Sequence, residues 1–290
     1  MTMLKRNILN SPKLLELKKH RRNVFLVKIL FCIFVLVALF ALSAYISGLK
    51  ELNISGVEVT GNKVVSTETI KSIIGEKITG NYLFFFPRTN ILIYPKKEIE
   101  KGISDQFKRI NKINFAIKGN NKLEVSVTER TALYTWCGNT PPQPDSKEKE
   151  VCYFLDDSGY LFDEAPYFSG EVYFKFYGSI NSGDKAPLGI YFAPQNFSKL
   201  VSFKNILESM GLKSITLYIE EDGDVRIILS NKASTGPEII FKLDASLETV
   251  AENLQAALST EPLLSNFKNK YSSLEYIDLR FGNKVYYKFR

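Results

Sequence analysis

Residues 29–46 read ILFCIFVLVALFALSAYI and contain no charged residue. As a helix rising about 1.5 Å per residue, this run is about 27 Å long, close to the roughly 30 Å of a bilayer's hydrocarbon core. Residues 24–27 extend it, because the long side chain of Lys28 reaches the lipid headgroups. A signal peptide has a shorter apolar core, and a buried soluble helix shows a polar stripe. We therefore predict one transmembrane helix over residues 24–47.

The charge distribution sets the expected orientation. The formal net charge is +7 over 290 residues. The segment from residue 1 to Lys28 contains eight basic residues and one acidic residue, a net charge of +7. The rest of the chain has 30 basic and 30 acidic residues, so its charges cancel. Because positive residues stay in the cytoplasm, we predict a cytoplasmic tail over residues 1–23 and an extracytoplasmic bulk without nucleic-acid binding. The basic cluster at residues 18–22 contacts anionic lipid or, alternatively, a protein.

Residues 50–130 predict a small α+β domain with the order β-α-α-β-β. Residues 52–60 alternate apolar and polar, as in a strand with one buried face, and Ser66 suits the N-cap of a following helix. After a second helix, two strands at residues 110–118 and 122–130 are joined by a tight turn. We expect one antiparallel sheet covered by two helices.

A long apolar segment separates the two helices of this domain. Residues 83–94 read LFFFPRTNILIY. The simpler interpretation is that the segment packs into the core and its loops. The alternative is an exposed apolar patch that contacts the membrane or a partner.

Residues 131–290 predict a mixed, mostly antiparallel β-domain with two helices, at about residues 195–210 and 247–258. Its last hairpin pairs residues 274–281 with residues 284–289. We expect this last strand to lie at a sheet edge, where unpaired backbone groups can accept another chain.

Two cysteines flank a polar, proline-rich loop at residues 141–147. Cys137 and Cys152 form a disulfide if the domain is extracytoplasmic, because that compartment is oxidising. The alternative is two buried thiols on neighbouring strands. A metal site needs more ligands than this pair supplies, so we predict no metal.

The residues that catalysis most often uses are scarce. The single histidine, His20, lies in the predicted cytoplasmic tail, which leaves no imidazole for a catalytic triad outside. Carboxylates at residues 156–157, 163–164 and 220–222 could hydrolyse a glycan, but they occupy turn-like segments. No phosphate-binding glycine loop is present. We predict a protein that is not an enzyme and has no cofactor.

Several short motifs carry a resemblance to a known family. In order along the chain they are Val57, Val59, Gly61 and Asn62; Val65, Ser66, Glu68 and Ile70; and Val127, Glu129 and Arg130. This set resembles the POTRA domain of the FtsQ/DivIB bacterial cell-division family. YFLDDSGYLF at residues 153–162 and YIDLRF at residues 276–281 resemble that family's β-domain.

The resemblance implies a division scaffold at the septum that recruits and regulates septal peptidoglycan synthesis. Its implied partners are small coiled-coil division proteins of the FtsB/DivIC and FtsL type and the septal peptidoglycan synthase complex. Partner binding by strand addition would involve Tyr276, Asp278, Arg280, Lys284, Tyr286, Tyr287 and Phe289. A second, POTRA-domain interface would involve Val57, Val59, Asn62, Ser66 and Ile70.

We expect the aromatics Tyr286, Tyr287 and Phe289 to anchor the partner, so that alanine at all three removes capture without unfolding. Two other functions remain open. One is a membrane or secretion assembly factor with a POTRA-like domain. The other is an anchored cell-wall hydrolase.

Overall fold

The computed structural model describes residues 12–143, 150–180, 186–231 and 236–290. Residues 1–11 of the predicted tail and residues 144–147 of the predicted proline-rich loop lie outside these ranges. The chain divides into two compact units. The first comprises Met1–Asn62, Ser66–Gly102 and Asn114–Ser126, and the second comprises Lys63–Val65, Ile103–Ile113 and Val127–Arg290.

The first helix, α1, spans Pro12–Ser47. Within its segment Glu16–Ser47, an 18-residue window reaches a mean hydropathy of 3.0 and has no buried residue. Among the described residues it is the one helix long and apolar enough to cross a membrane. This confirms the predicted apolar helix, although α1 begins well before residue 24 and includes part of the basic segment.

A three-stranded sheet follows α1, with the strand order β1-β5-β4. Its strands are β1 (Gly56–Thr60), β4 (Ile110–Lys118) and β5 (Lys122–Glu129). Strand β1 pairs with β5 in parallel, so the expectation of a wholly antiparallel sheet is wrong. Strand β4 is joined to β5 by the short turn Gly119–Asn121 and carries the chain back across the sheet, so that β5 can run in the same direction as β1.

Helices α2 (Thr67–Ile78) and α3 (Lys96–Gln106) lie between β1 and β4 in the chain. As expected, Ser66 is the N-cap of α2, and its hydroxyl accepts from the N–H of Thr69. An additional two-stranded hairpin separates the helices, formed by β2 (Asn81–Tyr82) and β3 (Phe86–Pro87).

A nine-stranded sheet forms most of the second unit. Its order is β14-β13-β12-β11-β10-β9-β6-β7-β8. The pairs β6–β9, β9–β10 and β12–β13 are parallel and the others are antiparallel, as predicted for a mixed sheet. The strands are β6 (Tyr134–Trp136), β7 (Cys152–Leu155), β8 (Leu161–Ala165), β9 (Phe174–Tyr177), β10 (Ser214–Ile219), β11 (Asp224–Leu229), β12 (Glu238–Lys242), β13 (Leu274–Phe281) and β14 (Lys284–Phe289).

Three helices connect strands of this sheet, one more than predicted. They are α4 (Phe197–Ser209), α5 (Leu247–Leu258) and α6 (Leu263–Lys270). Helices α4 and α5 contribute Phe203 and Leu254 to the main core, which also contains Phe241 and Ile277 of the sheet. The short α6 is hard to recognise in the sequence, because eight residues give barely two turns of apolar periodicity.

Candidate functional site

The candidate site is the sheet edge formed by β14. Among the described residues, β14 has a single neighbouring strand, β13, with pairs from Leu274↔Phe289 to Phe281↔Lys284. Because a strand with one neighbour leaves half of its backbone groups outside the ladder, this edge offers a template for another strand.

The direction of each backbone group follows from one hydrogen bond. The N–H of Arg290 donates to the carbonyl oxygen of Ser273 at 2.7 Å, which is toward β13. Since N–H direction alternates along a strand, those of Val285, Tyr287 and Phe289 face away from β13. These three N–H groups, with the carbonyls of the same residues, are the groups that an added strand would meet.

Side chains also alternate along β14. Val285, Tyr287 and Phe289 are half-buried and pack against the main core. Tyr286 is 50% exposed and its ring meets that of Phe281 edge-to-face, with 5.3 Å between centroids. Because Tyr287 and Phe289 pack against the core, alanine at these two positions is expected to lower stability as well as partner capture.

A groove of about 290 Å³ lies beside the edge strand. Its walls come from the C-terminal end of α5, the segment that leads into α6, and the core-facing side of β14. The lining includes Ala256, Ala257, Pro262, Leu263, Val285 and Tyr287. A strand added to β14 would place alternate side chains toward this groove, whose lining combines these small and apolar residues with the polar Asn253, Thr260, Glu261 and Asn283.

Two predicted contact residues, Asp278 and Arg280, take part in a charge network within the sheet. Asp278 is 5% exposed, and its Oδ2 lies 2.6 Å from Nη2 of Arg280. Arg280 also pairs with the buried Asp224, which Lys242 contacts as well. The network joins β11, β12 and β13, so it supports the strand next to the edge.

This network shifts the pKa values of its members. Burial acts to raise the pKa of Asp224, but hydrogen bonds from Lys242 and Arg280 outweigh it and hold the pKa below its ordinary value. Hydrogen bonds to Asp278 and Asp224 raise the pKa of Arg280. Tyr276, the remaining predicted residue on β13, is half-buried opposite Lys288 of β14.

The opposite edge of the large sheet is partly covered. Strand β8 is the last strand there, and the N–H of Leu161 donates to the carbonyl of Ile190 at 2.9 Å. Gly189 donates in turn to the carbonyl of Leu161 at 2.8 Å. The β14 edge has no such cover among the described residues.

The second predicted interface is divided between surface and core. Val57 and Val59 are half-buried on β1, an outer strand of the small sheet. Ile70 is fully buried, so it contributes to the core and offers no contact surface. Ser66 caps α2, and the side-chain amide of Asn62 donates to the Thr67 hydroxyl at 2.9 Å.

Glu129, which contributes to the family resemblance, has a clear structural role. Its Oε1 accepts from the backbone N–H groups of Lys63, Val64 and Val65 at 2.7–3.0 Å. Burial acts to raise the pKa of Glu129, but these N–H donors outweigh it and lower the pKa.

Arg130 and Asp156, also part of the resemblance, pair with each other. The Oδ1 of Asp156 accepts from the N–H groups of Ser158 and Tyr160 at 2.9 and 3.0 Å and so closes the β7–β8 turn. Burial acts to raise the pKa of Asp156, but hydrogen bonds from Ser158, Tyr160 and Arg130 lower it overall.

The other acidic clusters are also paired. Asp163 lies 2.7 Å from Nη2 of Arg109, and Glu220 pairs with Arg226. Glu220, Asp222 and Asp224 are close enough together to hold a metal ion by distance alone. Arg226 and the two cations around Asp224 already balance much of that negative charge.

Cys137 and Cys152 are joined by a disulfide, and the two cysteines are 15 positions apart in the sequence. They continue the β6–β7 ladder, in which Trp136 pairs with Tyr153. Cys32 is exposed on α1.

The groove beside β14 was not predicted, although its residues give a partial signal. Ala256 and Ala257 are small residues near the end of a helix, and Pro262 follows shortly after. Only the chain's return to the sheet edge brings them beside Val285 and Tyr287. No protein-family model matches this chain, and no curated protein matches it either.

Proposed function

We propose that this chain is a membrane-anchored cell-division scaffold of the FtsQ/DivIB type. The observation that carries the proposal is the open β14 edge with a partly apolar groove along it. The sequence resemblance supports the choice of the FtsQ/DivIB family. The length and apolarity of α1 support a membrane anchor.

The proposed orientation has the basic tail in the cytoplasm and both units outside. Basic residues flank the N-terminal side of the apolar run, and such residues are retained on the cytoplasmic side. The disulfide between Cys137 and Cys152 agrees with this arrangement, since disulfides persist in oxidising compartments.

Partner capture would proceed by strand addition. An extended segment of the partner lies against β14 and exchanges hydrogen bonds with the outward groups of Val285, Tyr287 and Phe289. Its apolar side chains enter the groove lined by Ala257 and Leu263. Backbone bonds supply affinity, while the groove selects the side chains.

The partners we propose are small coiled-coil division proteins of the FtsB/DivIC and FtsL type. Through them the chain would recruit and restrain the septal peptidoglycan synthase complex. The POTRA-like unit, with Val57 and Val59 on its outer strand, is the proposed site of a second contact with the division machinery.

Localisation tests the cellular role. A fluorescent protein fused to the N-terminus of the full chain should form a band at mid-cell in dividing cells. A uniform signal around the membrane in all cells would contradict a role at the septum.

Capture from cells tests the site. The double variant Lys284→Glu with Tyr286→Ala changes two exposed side chains of β14 and should lose bound division proteins in a pull-down of the full chain. Tyr167→Ala is the matched control, because Tyr167 is also an exposed tyrosine. Equal capture by both variants would contradict β14 as the binding edge.

A further inference from the structure

The β2–β3 hairpin presents large apolar side chains to solvent. Phe84 is 91% exposed, and Leu83 and Phe85 beside it are also exposed. Leu92, in the segment after the hairpin, is 77% exposed. The interpretation that residues 83–94 pack into the core is therefore wrong for these side chains, and large apolar side chains exposed together in one short segment are typical of an interaction site.

The conformation of the hairpin tip also disfavours a purely structural role. Leu83 and Phe84 adopt φ angles of 48° and 66°, in the left-handed region that glycine or asparagine occupies most readily. Bulky apolar side chains do not stabilise the fold when they are exposed and their backbone is strained. Such a combination indicates that the side chains serve a contact outside the fold.

The same hairpin packs against the apolar helix within the first unit. The ring of Phe40 on α1 lies edge-to-face with Phe85 and Phe86, at centroid distances of 5.7 and 5.4 Å. Phe40 is about two turns before the end of α1 at Ser47, or roughly 10 Å along the helix axis. The hairpin therefore reaches back along the segment that is apolar enough to lie in a membrane.

Hydrogen bonds fix this arrangement. The side-chain amide of Asn90 donates to the carbonyl and hydroxyl oxygens of Ser47 at 3.0 and 3.1 Å. The N–H of Ile91 donates to the carbonyl of Leu52 at 2.9 Å, just after α1. The segment after the hairpin is thus held to the end of the helix by both side-chain and backbone contacts.

We propose that the tip of this hairpin, with Leu92, inserts into the membrane leaflet that holds the C-terminal end of α1. The occupant is lipid because the exposed surface is continuous with the helix that crosses the membrane. At the base of the hairpin, Tyr82 and Arg88 stack with 5.0 Å from the guanidinium to the ring centroid, a pairing suited to the headgroup region.

This contact would give the first unit two attachments to the bilayer, α1 and the hairpin. Two attachments limit rotation of the unit about the helix axis. The inference requires that α1 spans the membrane, but it requires no partner and no role in division.

Tryptophan quenching by brominated lipid tests the proposal. Trp136 is the single tryptophan of the chain, so the parent protein gives the baseline. Full-length Phe84→Trp is placed in lipid nanodiscs whose acyl chains carry bromine in their upper half, or in nanodiscs without bromine. The added emission should shift to shorter wavelength and should be mostly lost in the brominated discs.

The matched control is Lys71→Trp, at an exposed position of α2 in the same unit, which should be unaffected by bromine. Leu92→Trp is a second reporter that avoids the left-handed positions, and it should behave like Phe84→Trp. Unquenched emission from both reporters, or equal quenching of the reporters and the control, would overturn the proposal. Because no partner is present, that result would leave the proposed scaffold function unaffected.

Discussion

The side-chain amide of Asn90 donates a 3.0 Å hydrogen bond to the carbonyl oxygen of Ser47, and both residues are buried. The last carbonyls of a helix have no partner within the helix, so this bond closes the end of α1. The amide of Asn53 donates to the same oxygen at 2.9 Å. The apolar helix and the segment after the hairpin are thereby joined by direct hydrogen bonds.

Replacing Asn90 should loosen this junction. Asn90→Ala removes one of the two side-chain donors to the Ser47 carbonyl and also the acceptor of the Leu92 N–H, and each lost hydrogen bond costs about 1 kcal/mol. Protection of the Leu92 amide in residue-resolved hydrogen exchange should fall at least about fivefold. Lys97→Ala, an exposed change on α3, is the control, and equal protection in both variants would count against the junction.

Removing the Glu129 carboxylate should destabilise the second unit. Glu129→Ala leaves three backbone N–H groups without their acceptor and should lower the free energy of unfolding by about 1–3 kcal/mol. Urea denaturation followed by Trp136 fluorescence measures the change. Glu164→Ala, at an exposed position, should leave stability nearly unchanged, and a similar loss in both variants would argue against a specific role of Glu129.

Acid should destabilise this unit through its buried carboxylates. The pKa values of Asp156, Asp224 and Glu129 are lowered in the folded state, so their stabilisation is present above the unfolded values of about 4. It is lost as the pH falls through the lower folded values. The free energy of unfolding should be nearly constant from about pH 7 to 5 and should decrease below about pH 4.

The comparison of wild type with Asp156→Asn identifies the source of this dependence. The variant lacks one of the depressed groups, so its stability should fall less between neutral and acidic pH. Asp157→Asn changes the exposed neighbour and should retain the wild-type slope. Wild-type stability that rises toward about pH 3 would contradict the direction of the shifts.

Loss of the disulfide should cost stability by releasing a loop in the unfolded chain. A disulfide that closes a loop of about 15 residues contributes about 3 kcal/mol to the free energy of unfolding. Cys137→Ser with Cys152→Ser should therefore unfold at lower urea concentration, and reduction of the wild type should produce a similar shift. A wild type that is insensitive to reducing agent would show that the bond does not form in solution.

The features that could be predicted are those encoded by local periodicity. The uncharged run at residues 29–46 predicts α1, and Ser66 marks the start of α2. The period-two pattern of residues 284–289 also separates Tyr286 from Tyr287 and Phe289, so the buried face of β14 could have been read from the sequence.

Other features depend on contacts that local sequence does not encode. The parallel pairing of β1 with β5 depends on β4, which carries the chain back across the sheet before β5 begins. Leu83 and Phe84 are exposed although apolar residues are usually buried, because a hairpin of this length has no core of its own. The groove beside β14 arises only when α5 returns to the last strand.

Hydrogen exchange along β14 tests the central claim most directly. The full chain is measured alone and with a co-expressed coiled-coil division protein of the FtsB/DivIC type, the proposed partner. We predict that binding slows exchange at Val285, Tyr287 and Phe289, while Lys284, Tyr286 and Lys288 keep the protection they already have from β13. Exchange at the first three amides that stays as fast in the complex as in the free chain would contradict strand addition at this edge.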